Sequence, residues 1–236
     1  MSTFNQVNKD NIFIASWSGG KDSCLACYKA EQKGLKIKFL LNMISRKYQR
    51  CCFHGLQKEI IHLQSDLIGI PLFQKEVSDK MEKYEDEFKE AVNFLKTKGA
   101  NGMIFGDIYL TEHKSWLERV CSDLKIEMKE PLWEMSPEMV LKEFINAGFK
   151  AIVVSAKADL FDKDIIGRQV DKDFLKMLKK RDICPCGENG EYHTLVIDGP
   201  IFKKGGIKIT RNQVVFKNDF WPHWFLDIQG FKITPK

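Results

Sequence analysis

The residues best suited to chemistry are Ser18-Gly19-Gly20-Lys21-Asp22-Ser23, set between an apolar run and a segment of helical spacing. A strand that ends in small residues and reopens as a helix leaves backbone N–H groups without partners at the helix N-terminus, where the helix dipole adds positive charge. Such a turn cradles anions, phosphate above all. Gly19 and Gly20 would give the backbone freedom and let phosphates approach closely, Ser18 and Ser23 would donate hydroxyls, and Lys21 would add a point charge. Asp22 has the wrong sign for a phosphate contact, so it implies a cation in between, Mg²⁺ by its preference for oxygen, or a role capping the helix.

A second group lies in the stretch Cys184 to Phe202, where Glu188, Asn189, Glu191 and His193 fall within one short loop. Two carboxylates, an amide and an imidazole could bind ammonium, accept its proton and orient an acyl oxygen. On residue types alone, a turn joining a helix to a strand accounts for them more simply. The seven cysteines read as thiols: Cys24-x-x-Cys27 has no second pair at metal-ligand spacing, which favours packing. Trp221-Pro222-His223-Trp224 could stack nucleobases, but aromatic residues near a chain end more often close a core or a subunit contact, as in a homodimer.

These groups need a scaffold, and the composition allows one. With 236 residues, 44% hydrophobic and 29% charged, the chain can bury a substantial core. No apolar run approaches the ~20 residues of a membrane span, and the N-terminus lacks a signal-peptide segment, so a cytoplasmic protein with no membrane partner is expected. The net charge of +5 comes without a basic run and does not argue for nucleic acid.

Short apolar runs alternate with amphipathic segments, the pattern of a parallel sheet covered by helices. Strands are expected at Ile12–Trp17, Ile37–Ile44, Ile70–Val77 and Gly102–Ile108, with a last short one near Ile126. Between them come helices with Leu56, Ile60, Leu63 and Leu67, then Tyr84, Phe88, Val92 and Leu95, then Trp116, Val120 and Leu124 on one face. Further on, Ser136-Pro137 opens a helix that Gly148 stops, Lys150–Lys157 reads as a buried strand, and Asp171–Lys180 as a helix. The tail reads as three strands. The expected organisation is a nucleotide-binding domain over 1–130 and a smaller α/β substrate domain over 131–236. In open parallel sheets the ligand lies beyond the carboxyl ends of the strands, which places Ala15, Ser16 and Ser18, Met43 to Ser45, and Gly106-Asp107 at the nucleotide.

The loop is not a Walker motif, because Ala15 stands where its first Gly belongs and Asp22 where its Ser or Thr belongs. It is not a dinucleotide fingerprint either, since the glycines are adjacent and no third follows. Ser-Gly-Gly-x-Asp-Ser between a first strand and a first helix resembles the pyrophosphate-binding loop of the N-type ATP pyrophosphatases, which adenylate a substrate and release pyrophosphate. The resemblance implies a Rossmann-like sheet of the adenine nucleotide alpha hydrolase type. With Cys184 to Phe202, His54-Gly55, Gly106 to Ile108, Trp116 to Cys121, Pro131 to Trp133 and Ile166 to Arg168, the chain resembles the diphthine–ammonia ligase family from about Ile12 to Phe202. That resemblance implies ATP, Mg²⁺, ammonium and a carboxylate acceptor, which in known members is diphthine on elongation factor two. The diphthine-modifying branch reads Gly-Glu-Gly-Gly-Glu-Tyr-Glu-Thr, whereas here Asn189 and His193 replace a Gly and a Glu. This variant resembles the branch common in bacteria, which lack diphthamide, so ATP use carries over more directly than the acceptor does. An RNA-modifying, thiolase-type adenylase and a non-catalytic ATP-sensing module are the alternatives.

Overall fold

The computed structural model describes residues 11–52, 54–218 and 222–236. Its first half contains β1 (Ile12–Ser16), α1 (Lys21–Gln32), β2 (Lys36–Ser45), β3 (Arg50–Cys51), α2 (Lys58–Ile68), β4 (Leu72–Val77), α3 (Met81–Lys96), β5 (Ala100–Ile104), α4 (Thr111–Asp123) and β6 (Glu127–Lys129). β1 pairs in parallel with β2 and β5; β4 extends the sheet beyond β2, and β6 beyond β5. Winding reverses at β1, which puts a switch point at the carboxyl ends of β1 and β5, where open α/β sheets hold ligands. β3 has no counterpart in the sequence reading. Its two residues pair antiparallel with Ile44 and Ser45, too short a run to show any periodicity.

The second half contains α5 (Pro137–Asn146), β7 (Lys150–Lys157), a 3-10 turn (Lys163–Ile165), α6 (Lys172–Lys180), β8 (Tyr192–Asp198), β9 (Gly206–Lys217) and β10 (His223–Thr234). Its strands form an antiparallel sheet in the order β8-β7-β10-β9. Local chemistry sets the helix ends. Ser136 accepts from the Met139 N–H ahead of Pro137, and Asp171 accepts from the Asp173 and Phe174 N–H groups. Gly148, after α5, adopts the left-handed φ of +86° that favours glycine.

Alternation along β1 sends neighbouring residues to opposite faces of the parallel sheet. Ile14 packs with Leu41, Phe88, Val92 and Met103 under α3 and α4. Phe13 and Ala15 face α1 and α2 and join a core that continues through Phe144, Phe149, Tyr192 and Leu195 of the second half. The two sheets are thus welded through one apolar interior.

Gln64 of α2, fully buried, sits at that weld. Its Oε1 accepts from Trp17 Nε1 at 3.0 Å, while its Nε2 donates to the carbonyls of Gly19 at 3.0 Å and Val196 at 2.7 Å. Gln64→Leu keeps the volume but strands the indole N–H and the Val196 carbonyl. Because each buried unsatisfied group costs about 1–3 kcal/mol, unfolding in urea should show a loss of about 2–4 kcal/mol. A loss below about 0.5 kcal/mol, the ordinary range for a surface change, would contradict this role.

Candidate active site

The cradle is built where β1 leaves the sheet. Trp17 N–H bonds the Leu41 carbonyl at 2.8 Å, and the chain then turns through Gly19 at a φ of +79°. Ser18 Oγ accepts from Gly20 N–H at 3.2 Å and lies 3.2 Å from Ser23 Oγ. In the first turn of α1, Lys21 N–H donates to Thr194 Oγ1 at 3.0 Å and Cys24 N–H to the Gly20 carbonyl at 3.2 Å. The Ser23 N–H has no acceptor among the described residues, and the Asp22 N–H none beyond its own carboxylate, so the helix end keeps donors for an anion. Gly106, beyond β5, closes against this turn: a Cβ there would lie 2.9 Å from the Asp22 carbonyl carbon and 3.0 Å from Ser23 N.

Gly19 and Gly20 have a different purpose from the one their sequence suggests. A Cβ on Gly19 would lie 2.4 Å from Ile61 Cδ1 and 2.6 Å from Gln64 Oε1, and one on Gly20 would lie 2.5 Å from His54 Cε1. They make room for α2 and His54 rather than for phosphate, and neither lines the cavity.

Lys21 is 3% exposed, and its ammonium bonds Asp22 Oδ2 at 2.8 Å and the Cys186 carbonyl, 5.1 Å from the Tyr192 ring centre. Burial works against this charge, but the Asp22 carboxylate leads the groups that hold its pKa above the ordinary value. Asp22 itself is pushed up by burial in spite of Lys21, with Asp107 adding in the same direction, and its Oδ1 has no partner. Glu188 is pushed up to about 7, by burial first and then by Asp22 and Asp107. Three carboxylates against one lysine leave a local excess of negative charge, and these oxygen donors suit a hard cation. Among the described residues no three of these side chains cluster as a complete metal cage.

The loop before β8 forms the opposite wall of a cavity of about 1400 Å³. Glu188, Asn189 and His193 line it; Glu191 does not. The Glu191 carboxylate, 8% exposed, instead accepts from Asn189 N–H at 2.9 Å and Asn189 Nδ2 at 3.1 Å and so holds the loop in shape. The His193 ring stands 4.7 Å from that of His54. Burial lowers the pKa of both, to about 4 for His54, and the Lys21 ammonium adds to the effect, so both imidazoles are neutral at pH 7. His54 Nδ1 lies 3.0 Å from the Thr194 carbonyl, which can only accept, so that nitrogen carries the proton.

Of the nucleotide-site residues read from sequence, Ser16, Ser18, Lys21, Asp22, Ser23, Gly106 and Asp107 line the cavity. Ala15 and Met43 do not. Alternation turns Ala15 into the shared core, opposite Ser16, whereas Met43 joins the cluster under α3 and Ser45, on the same face at the end of β2, reaches the cavity. His54, Arg50 and Lys157 are wall residues that the sequence reading did not place there; only His54-Gly55 carried a motif signal. All seven cysteines are free, and burial pushes the Cys24 and Cys27 thiols up. Trp221 lies outside the described residues, while Trp224 donates to the Phe161 carbonyl at 3.2 Å and packs on Phe216.

A mostly parallel sheet with an open helix N-terminus at its switch point, and an acidic loop lining the same cavity, is consistent with an adenine nucleotide alpha hydrolase-like fold. The sequence matches the diphthamide synthase N-terminal domain over residues 12–128 and its C-terminal domain over 136–231, and the chain belongs to that family. Relatives named diphthine–ammonia ligase include the Rattus norvegicus protein, 26% identical over 93% of this chain and 91% of the relative. The Bos taurus protein is 28% identical over 79% of each chain. A longer relative of the same name from Schizosaccharomyces pombe is 26% identical over 84% of this chain, which spans 36% of that protein.

The charge arrangement around Glu188 is directly measurable. In an NMR titration of the free protein its carboxyl carbon should show a midpoint at about 7. Asp22→Asn removes the largest neighbouring negative charge and should move that midpoint down. A wild-type midpoint near the ordinary value of about 4.3, or an upward move in the variant, would contradict the geometry.

Proposed function

We propose that this chain is an ATP-dependent ligase that adenylates a carboxylate, releases pyrophosphate and forms an amide with ammonium. The observation that carries this reading is that the open first turn of α1 and the Glu188 carboxyl line one cavity, close enough for Asp22 and Lys21 to act on Glu188. Names shared by the relatives support it, and nothing favours an RNA-modifying or purely ATP-sensing role. In this reading residues 1–130 hold the nucleotide and 131–236 the acceptor.

The Asp22 and Ser23 N–H groups and the Ser18 and Ser23 hydroxyls take the departing pyrophosphate oxygens, with the buried Lys21 charge beneath them. Asp22, with Asp107 beside it, would hold Mg²⁺, which supplies charge neutralisation between carboxylate and phosphates. Glu188 accepts the proton that ammonium must lose before nitrogen can attack, and a carboxyl poised near neutrality suits that transfer. Asn189 and the neutral His193 orient the acyl oxygen. Glu191, first read as a second proton acceptor, acts by holding Asn189 in place. The acceptor is a carboxylate, diphthine in the named relatives, and the enzyme works in the cytoplasm.

Chromatography of products from ATP, Mg²⁺, ammonium and diphthine-bearing elongation factor two or another carboxylate should show AMP and pyrophosphate, with AMP formation rising with ammonium. Glu188→Gln should lower that turnover about 10²–10⁴-fold while ATP affinity stays close to wild type. Products limited to ADP and phosphate would exclude the reading.

A further inference from the structure

The antiparallel sheet turns a face toward the cavity that no part of the cradle or the acidic loop accounts for. Its register lines up two rows across the strands. His193 on β8 lies opposite Ser155 on β7, Ser155 opposite Phe225 on β10, and Phe225 opposite Val215 on β9. In the next row Lys157 lies opposite His223, and His223 opposite Lys217. All seven side chains line the cavity.

Two features of this face point to a ligand. Ser155 is 1% exposed, yet its Oγ has no hydrogen-bond partner. A buried hydroxyl without a partner is costly, so one that borders a cavity marks where a ligand atom completes it. The second feature is the charge of the lysine row. Lys157 Nζ bonds only the neutral Asn189 carbonyl, at 2.9 Å, and Lys217 Nζ stands 5.8 Å from the Phe225 ring centre; neither forms an ion pair among the described residues. The carboxylates on the same wall are Asp159 and Asp227; Asp227 is bonded by Arg50 at 2.7 Å, which with a smaller contribution from the Lys217 charge holds its pKa down. Phe225 and Val215 give the platform an apolar strip.

Direction follows from the cradle. Thr194 of β8 bonds Lys21 N–H, so the β8 edge is the end beside the phosphate site, and β10 lies two strands away. At about 4.8 Å per strand this is roughly 10 Å. We propose that this face is the acceptor platform, and that it takes an acceptor with a second oxyanion roughly 10 Å from the carboxylate being activated. That second group lies over β10 between Lys157 and Lys217, the connecting carbons lie on Phe225, and Ser155 Oγ donates to a polar atom along the way. The inference rests on the ligase reading and deepens it.

The test is binding of three probes to the full-length protein with Mg²⁺ and a non-hydrolysable ATP analogue: suberate, octanoate and a trimethylammonium hexanoate. Suberate should bind about tenfold tighter than octanoate, and Lys157→Gln and Lys217→Gln should each weaken suberate roughly five- to tenfold with unchanged melting temperature. Failure of suberate to bind, preference for the cationic probe, or wild-type suberate affinity in both variants would overturn the platform. A protein that still forms AMP while preferring the cationic probe would refute this inference and leave the ligase reading standing, whereas exclusive ADP formation would remove the ligase reading itself.

Discussion

The Gly19 carbonyl accepts from Val196 of the second sheet and from Gln64 of α2, and two residues on the Lys21 N–H reaches Thr194. A phosphate loop of this kind needs a fixed backbone, because donors that reorient at each encounter lose most of their electrostatic effect. Here neither sheet fixes it alone. Strand β1 delivers the loop, α2 closes it from below, and β8 completes its hydrogen bonds from the other side. The left-handed turn at Gly19 is unstrained because glycine has no Cβ, and Ile61 and Gln64 of α2 pack so closely there that a side chain has no room. The cavity therefore exists only when both halves are folded against one another, and the shared core through Phe144, Tyr192 and Leu195 holds them there.

Charge follows from the same closure. Lys21 is buried by its neighbours in the weld, so its ammonium works as a structural counter-charge that ties α1 to the Cys186 carbonyl as well as a positive field beneath the cradle. The field is incomplete, because Asp22, Asp107 and Glu188 outnumber it and Asp22 Oδ1 stays unpaired. Such a site is poised for a polyphosphate that arrives with its cation, since the cation completes the carboxylate and the helix end receives the phosphate. Burial also keeps His54 and His193 neutral, so the positive charge near the reacting atoms stays on the cradle side.

Much of this was legible in sequence wherever a signal is local. The small-residue turn, the Ser-Pro start and Gly stop of α5, and the helical spacing of Tyr84, Phe88, Val92 and Leu95 each rest on physics within a few residues. A strand end does not show which of its side chains reach solvent, so the burial of Ala15 beside the cavity-lining Ser16 follows from period two, while that of Met43 depends on how far α3 covers β2. Glu191 looked equivalent to Glu188 because both are carboxylates in one loop; only the fold shows one satisfied by Asn189 and the other facing the cavity. Ser155, Lys157 and Lys217 carried no signal at all. Their alignment depends on pairing between residues as far apart as Ser155 and Phe225, which no short window contains.

The replacement of Glu by His at position 193 takes on meaning in that register. The side chain at 193 heads the row that runs through Ser155 to Phe225 and stands closest to the cradle. A carboxylate there would add a fourth negative charge beside Asp22, Asp107 and Glu188 and would set an anion at the entrance to the platform. Histidine, kept neutral by burial and by the Lys21 ammonium nearby, removes that anion and still offers a hydrogen bond. Asn189 acts in the same sense, since its amide engages Glu191 and draws that carboxylate away from the cavity wall. Both departures from the diphthine-modifying pattern thus lower the negative charge on the acceptor side while leaving Asp22, Lys21 and the helix end on the nucleotide side unchanged. On the ligase reading, a site altered in that way would keep its adenylation chemistry and change the acceptor it selects.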